Sequence, residues 1–470
     1  LLLLLVGLRW WWGWDAHRRL QAEIDQIVAA GEPIYPEDFD PPEPVPDDEN
    51  AAKLLLDAEV ALNLTQDDES LITAVLDDRL FLEERVDEIR PIVEKNAPAF
   101  NLVHQARSRT RADWGLRFRT PVISAMLPAL EGQRRLTKLL SMTAGYQHAT
   151  GDDAAAIETL RDALAQAGAV DSGPTVISHL VAMAMGALGV NRLEELAPSL
   201  AVRAESETII QGGGAASRGQ IETLIAELLA EDGTRRAFVR AMQAERMAQL
   251  DTVNAILDGR MTLGAGAAVN IVGGVTEVLG LMPVPLTRPL FEFDAIFTLD
   301  WGRRWVAAAG SPHWPAAAAV APVEQGQLTE WDRMLRPISS MLLPWLERAY
   351  VLHFRALAMR RMAAIALAIR LYEIDHGRRP LELGDLVPGY LPEIPADPFA
   401  DDGRPVGYLP DSKPPVLYSI GKDGLDDGGA YTFYGSGGEI HREKLDSPFF
   451  LNGHRPRRPE PGEDWPAGAP

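Results

Sequence analysis

The sequence predicts a mainly α protein: an irregular antiparallel helix array followed by a small C-terminal α+β domain. From Asn50 to about Gly259, apolar residues recur at three- and four-residue spacing between polar, glycine and proline breaks. After Pro388 this period gives way to short, proline-punctuated strands, and helix followed by small β units is an α+β arrangement. With 470 residues, 46% apolar and 24% charged, the chain can build two or three domains with a sizeable core.

The first segment, 1–14, reads "LLLLLVGLRWWWGW". Four indoles directly after a leucine run suit the membrane headgroup level, so this is read as the outer end of a truncated membrane anchor. About 20 apolar residues are needed to span the hydrocarbon, so residues upstream of Leu1 would have to complete the span. A cleaved signal-peptide core and a buried N-terminal helix are the open alternatives. Residues 15–50 give a stalk helix with Leu20, Ile24, Ile27 and Val28 on one face, ended by Gly31 and Pro33. A strap or linker with seven acidic side chains between Glu37 and Glu49 and six prolines between Pro33 and Pro46 follows.

Residues 51–260 form the helical array. Leu136, Leu139, Leu140, Thr143 and Tyr146 make one amphipathic face, and a second helix begins behind Thr150 to Asp153. Together they predict an antiparallel hairpin, with Ile157, Leu160 and Leu164 in the seam. Residues 261–327, rich in Ala, Gly and Pro, predict a loop-rich connection with short helices. A long helix from about Leu328 to Asp375, with a break expected before Pro344, carries Phe354, Ala358, Met362, Ile365, Ile369 and Tyr372 on one stripe and Gly377 as its C-cap. With the strands it makes the 328–445 domain, and 446–470 is expected to be a disordered Pro-rich tail.

Composition excludes several functions. A net charge of −22 repels nucleic-acid phosphates, so no nucleic acid is expected as a partner. The absence of cysteine excludes disulfides, thiolate metal sites and thiol nucleophiles. There is no phosphate-binding glycine loop, no H-E-x-x-H and no G-x-S-x-G, and the nine histidines include no pair at three- or four-residue spacing. His148, His179 and His353 are read as helix histidines without a catalytic role, and "QGGGAASRGQ" as a loop between helices.

The stretch "YSIGKDGLDDGG", Tyr418 to Gly429, places Asp423, Asp426 and Asp427 among four glycines. A calcium loop, a metal-free turn and a solvated tail are all compatible with it. Hard calcium takes six to eight oxygens, and the one-three-five spacing of an EF-hand is not present.

The sequence "IALAIRLYEIDHGRRPLELGDLVPGYLPEIPADPFADDGRPVGYLPDSKPPVLYSIGKDGLDDGG" resembles the C-terminal part of the major pseudopilin of type II secretion systems, over about 365–434. The ordered series is a helix ending in Tyr-x-x-Asp-x-Gly-x-x-Pro, "LPEIPADPF", a tyrosine-bearing strand and "LYSIGKDG". The resemblance implies calcium held by Asp423, Asp426 and Asp427, with the Ile420 carbonyl as a fourth group. The family's later acidic residues are replaced here by "AYTFYG", and some 350 residues precede the domain, which argues against a filament subunit. A second resemblance, to a tetratricopeptide hairpin, covers about 136–170 through "GDDAAAIETLRDAL".

The expected function is therefore a membrane-tethered, extracytoplasmic (periplasmic) interaction or assembly protein, more in keeping with a non-enzyme, with protein partners on the helical array. The alternatives are an extracytoplasmic hydrolase with a carboxylate-based site and a soluble helical scaffold that binds peptides.

Overall fold

The computed structural model describes residues 2–77, 82–122, 130–203, 214–260, 284–321, 336–434, 439–441 and 446–455, and they are mainly helical. Helix α1 (Leu2–Ala29) joins the anchor-like segment and the stalk without a break. Its first turns leave Leu3, Leu4, Val6, Leu8, Trp10, Trp11 and Trp14 each more than half exposed, while Trp12 on the opposite side stacks on Phe293. Its later turns bury Leu20, Ile24 and Ile27, whereas Val28, expected on the same face, is 51% exposed. At 100° per residue Val28 falls at the edge of the buried face, beyond Ile24.

Beyond Gly31 the chain is a strap, as expected, and it is pinned to the body. Phe39 is buried against Phe118, Ala244 and Met247, and the Arg240 guanidinium donates to the Phe39 carbonyl at 3.0 Å. Helices α2 (Ala51–Val60), α3 (Gln66–Leu76), α4 (Val86–Lys95) and α5 (Ala97–Arg107) then lie on one side of the array. Caps set their starts: Thr65 accepts from Asp68 N while Asp68 Oδ2 accepts from Thr65 N at 2.7 Å.

The predicted hairpin is α6 (Leu130–Ala149) and α7 (Asp153–Asp171), the latter capped by Asp152 accepting from Ala155 N. α6 packs against α7, α8 (Val176–Leu196) and the α2–α5 layer, so Gln133, Thr137 and Ser141 on its other faces are also buried. These polar groups are satisfied internally: Gln166 Nε2 donates to Gln133 Oε1 at 2.8 Å and the Thr137 hydroxyl to Gln166 Oε1 at 2.9 Å. Short parallel strands β1 (Val202–Arg203) and β2 (Ala216–Ser217) precede α9 (Arg218–Leu229) and α10 (Asp232–Leu257), so Gln211 to Gln220 is not a plain loop. Positions 211–213 of it lie outside the described residues.

Three expectations are corrected. The region 261–327 holds a 26-residue helix, α11 (Val284–Ala309), besides the short α12 (Trp314–Val320). The prolines mask it in sequence, yet Phe291, Ala295 and Leu299 recur every four residues and bury against α1 and α10. Residues 261–283 and 322–327 lie outside the described residues.

The long helix, α13 (Pro337–His376), continues through position 344, and its apolar stripe is only one of several buried faces. Ala363, Ala364, Ala366, Leu367 and Ala368 are also buried, because α8, α9, α11 and the β layer surround it. Gly377 ends it in the left-handed region at φ 66°, as expected of the C-cap.

The third correction concerns 446–470. Ser447–Phe450 is a strand, β7, in the antiparallel sheet β3 (Gly407–Leu409), β4 (Val416–Ser419), β7, with Leu417 between Tyr408 and Phe449. Phe449 and Phe450 are fully buried, and this apolar pair was the overlooked signal. A hairpin of β5 (Thr432–Tyr434) and β6 (Glu439–His441) completes the described strands. Residues 456–470 lie outside the described residues.

One apolar core runs from Ala144 through α8, α9, α10 and α13 to Leu451, so the β domain is packed on the array. Glu194 of α8 fastens it: Oε1 accepts from Phe450 N at 2.7 Å, and Oε2 accepts from Arg455 Nε at 2.8 Å. Among the described residues the segment Val176–Ser199 is long and apolar enough to cross a membrane, and half of it is buried inside the protein. Its buried Arg192 donates to the Ser141 carbonyl, and with Glu194 this marks it as a core helix.

Candidate functional site

The Asp/Gly loop leaves β4 as expected, and each aspartate is placed separately. Asp423 Oδ1 accepts from Leu425 N at 3.2 Å, which closes a tight turn. Asp426 Oδ1 accepts from the Tyr418 hydroxyl at 3.0 Å and from Gly428 N at 3.1 Å, with Arg404 at 3.8 Å from its other oxygen. All three aspartates are exposed, and Ile420, whose carbonyl was the fourth candidate, is buried. Among the described residues no three His, Asp or Glu side chains are arranged to hold a metal ion.

A fourth carboxylate does sit close by. Asp446, fully buried before β7, accepts from Gly429 N at 2.7 Å, and its Oδ1 has no hydrogen-bond partner. Burial, with the neighbouring charges of Asp427 and Asp426, pushes its pKa up to about 6. Deeper in the domain Asp397 ties the loop together, accepting from the Ser419 hydroxyl, Phe399 N and Ile420 N between 2.7 and 2.9 Å.

A fully buried set of titratable groups lies elsewhere, in the core. Asp171 ends α7, His179 opens α8 and His353 sits midway along α13; none is more than 4% exposed. His179 Nδ1 meets Asp171 Oδ1 at 2.6 Å, and His179 Nε2 meets His353 Nδ1 at 3.1 Å. Phe238 of α10 stacks on both imidazoles, 4.5 and 4.4 Å between ring centroids. With both rings neutral, His179 donates to Asp171 and so must accept from His353, leaving the His353 Nε2 lone pair unpaired.

Burial first, with the nearby positive charges of Arg235 and Arg360, holds the His353 imidazole well below its usual pKa. The order carboxylate, imidazole, imidazole is that of a proton relay. The His353 ring, however, is stacked on Phe238 and met edge-on by Phe354, and no hydroxyl bonds to its free nitrogen among the described residues. A nucleophile would be needed there for hydrolysis. What the trio does is join three helices in the core.

The histidine pair is 174 residues apart in sequence, and no local pattern could have revealed it. His148, by contrast, pairs with its neighbour Asp153 and with Ser199. An apolar groove of about 190 Å³ between α7, α8 and α13 runs beside Asp171, with Leu164, Gly168, Ala187 and Met359 in its walls. It is the feature the peptide-scaffold alternative would use. Comparison of the chain with family models, curated proteins and solved structures finds no match.

Proposed function

We propose that this protein is a membrane-tethered, extracytoplasmic interaction or assembly protein, with a pseudopilin-like C-terminal domain that is fixed to a helical array and does not enter a filament. The observation that carries the proposal is α1, whose first turns expose leucines, a valine and tryptophans over more than half of the helix surface while its later turns are buried in the core. An exposed apolar surface of this kind is unfavourable in water, and indoles beside leucines match a bilayer interface. The fastening of β7 to Glu194 supports the second half, since it commits one edge of the domain to the array.

Flotation with lipid vesicles tests the tether. The full chain is expected to float, and Trp10→Ser/Trp11→Ser/Trp14→Ser to lower the partition by about a hundredfold, taking about 1 kcal/mol for each partly buried indole. Equal partition of the two proteins would remove the tether.

Calcium enters the proposal through the resemblance, at Asp423, Asp426 and Asp427. The crowding of Asp426 and Asp427 on Asp446 is what a divalent cation would relieve. Calorimetric titration of the full chain with calcium is expected to give saturable heat that vanishes in Asp423→Ala/Asp426→Ala/Asp427→Ala. A flat titration of the unmutated chain would leave the aspartates as turn formers only.

A further inference from the structure

We infer that the cavity under the strap is a binding site for a carboxylate carried on a single aromatic group. The cavity encloses about 170 Å³ between the strap at Phe39–Val45, the segment 111–117 and the turn from α7 to α8. That volume is close to the ~150 Å³ of an apolar cavity that holds one benzene ring. Phe39, Val45, Trp114 and Leu116 supply apolar wall. The Trp114 indole N–H is already committed to the Ala169 carbonyl at 2.8 Å, so what it offers a guest is ring surface.

Three arginines and one carboxylate share this cavity. Arg117 and Asp113 neutralise each other through two hydrogen bonds, 3.0 and 2.8 Å. Arg240 has no carboxylate: its guanidinium donates to the Phe39 carbonyl and lies 5.5 Å from the Phe39 ring centroid. Burial lowers its pKa with no opposing charge to offset it. The exposed Arg111 side chain makes no hydrogen bond or ion pair among the described residues.

The strap itself is acidic, yet its carboxylates are engaged elsewhere or outside. Asp40 faces Arg119 at 3.3 Å and the already paired Arg117 at 3.9 Å, Asp38 caps Ile34 N, Asp47 pairs with Lys53, and Glu43 is exposed without bonding to Arg111 or Arg240. Arg111 lies within electrostatic reach of Asp113, and Arg240, exposed along part of its side chain, has no carboxylate, so the cavity rim keeps a cationic excess that an anion from outside can meet. A planar carboxylate between Arg111 and Arg240, with its ring against Trp114 and Phe39, satisfies both features. The carboxylate could belong to a free aromatic acid or to the C-terminal phenylalanine of a polypeptide.

The test is fluorine NMR of para-fluorophenylpropionate with the full chain in detergent. The acid is expected to show saturable broadening and its amide none. Arg111→Met and Arg240→Met are each expected to weaken binding about tenfold, the loss of one charge-assisted hydrogen bond. Arg111 is exposed, so Arg111→Met should keep the thermal melt of the parent, which separates lost binding from lost fold. Competition by a short peptide ending in free phenylalanine, but not by its amidated form, assigns the site to polypeptide ends; binding of the free acid without such competition assigns it to small acids. Equal response to acid and amide, no saturable response, or unchanged binding in both variants overturns the inference.

Discussion

Glu32→Ala is expected to lower the unfolding free energy by about 3 kcal/mol, because it strands a buried guanidinium. The Arg246 side chain is fully buried on α10, donates to Glu32 Oε2 at 2.6 Å and to the Pro33 carbonyl at 3.0 Å, and lies against Gly302 of α11. Burial pulls its pKa down, and the Glu32 carboxylate works against that shift. The expected cost is the lower end of the range for breaking a buried pair, since the Glu32 side chain is itself 34% exposed. Urea unfolding of Glu32→Ala measures it, and Glu32→Ala/Arg246→Met should recover most of the loss by removing the stranded charge. A loss below about 1 kcal/mol in the single variant would mean that water already screens the pair.

The second large effect is a loss of stability in mild acid that originates at His353. Its folded pKa is depressed, so the native ring stays neutral where the unfolded ring, near its ordinary value of about 6.5, takes up a proton. The contribution is therefore complete above about pH 6.5 and falls as pH drops below it, with a slope approaching about 1.4 kcal/mol per unit. Asp446 and Glu245 act in the opposite direction, because burial raises them to about 6 and about 7, so the folded protein binds their protons first. The measurement is thus a difference. The unfolding free energy of the parent minus that of His353→Phe should decline between about pH 6.5 and 5, and a flat difference would show that His353 is protonated in the native protein.

His353 also shows where reading the sequence stops. The α6–α7 hairpin was legible because Leu136 and Leu140 share a core with Ala163, and Ala144 shares one with Ile157 and Leu160, across a local turn with its own cap. Gly377 and the Asp/Gly loop were legible for the same reason: backbone requirements at a helix end or a turn are written within a few residues. Helix α11 was missed although its 291/295/299 repeat is local, because Pro285 and Pro289 were weighed more heavily than burial against α1 and α10.

The candidate sites divide along the same line. The three aspartates are legible from their own spacing, but whether they converge depends on Asp446, which enters nineteen residues beyond Asp427, just before β7, in the stretch expected to be tail. Arg111 and Arg240 carried no signal in isolation. Each became distinctive only when folding placed both at one cavity.

By itself the sequence determined the helical class, the apolar tryptophan end, the strap and the position of the turn-forming aspartates, since these follow from side-chain period, composition and φ preferences. The tertiary structure decided that α8 is a core helix, that β7 closes the sheet, that His179 meets His353, and that arginines from separate elements share one cavity. Burial and pairing depend on partners tens to hundreds of residues away, and hydrophobic packing, which is non-directional, leaves no local mark of which partner is chosen.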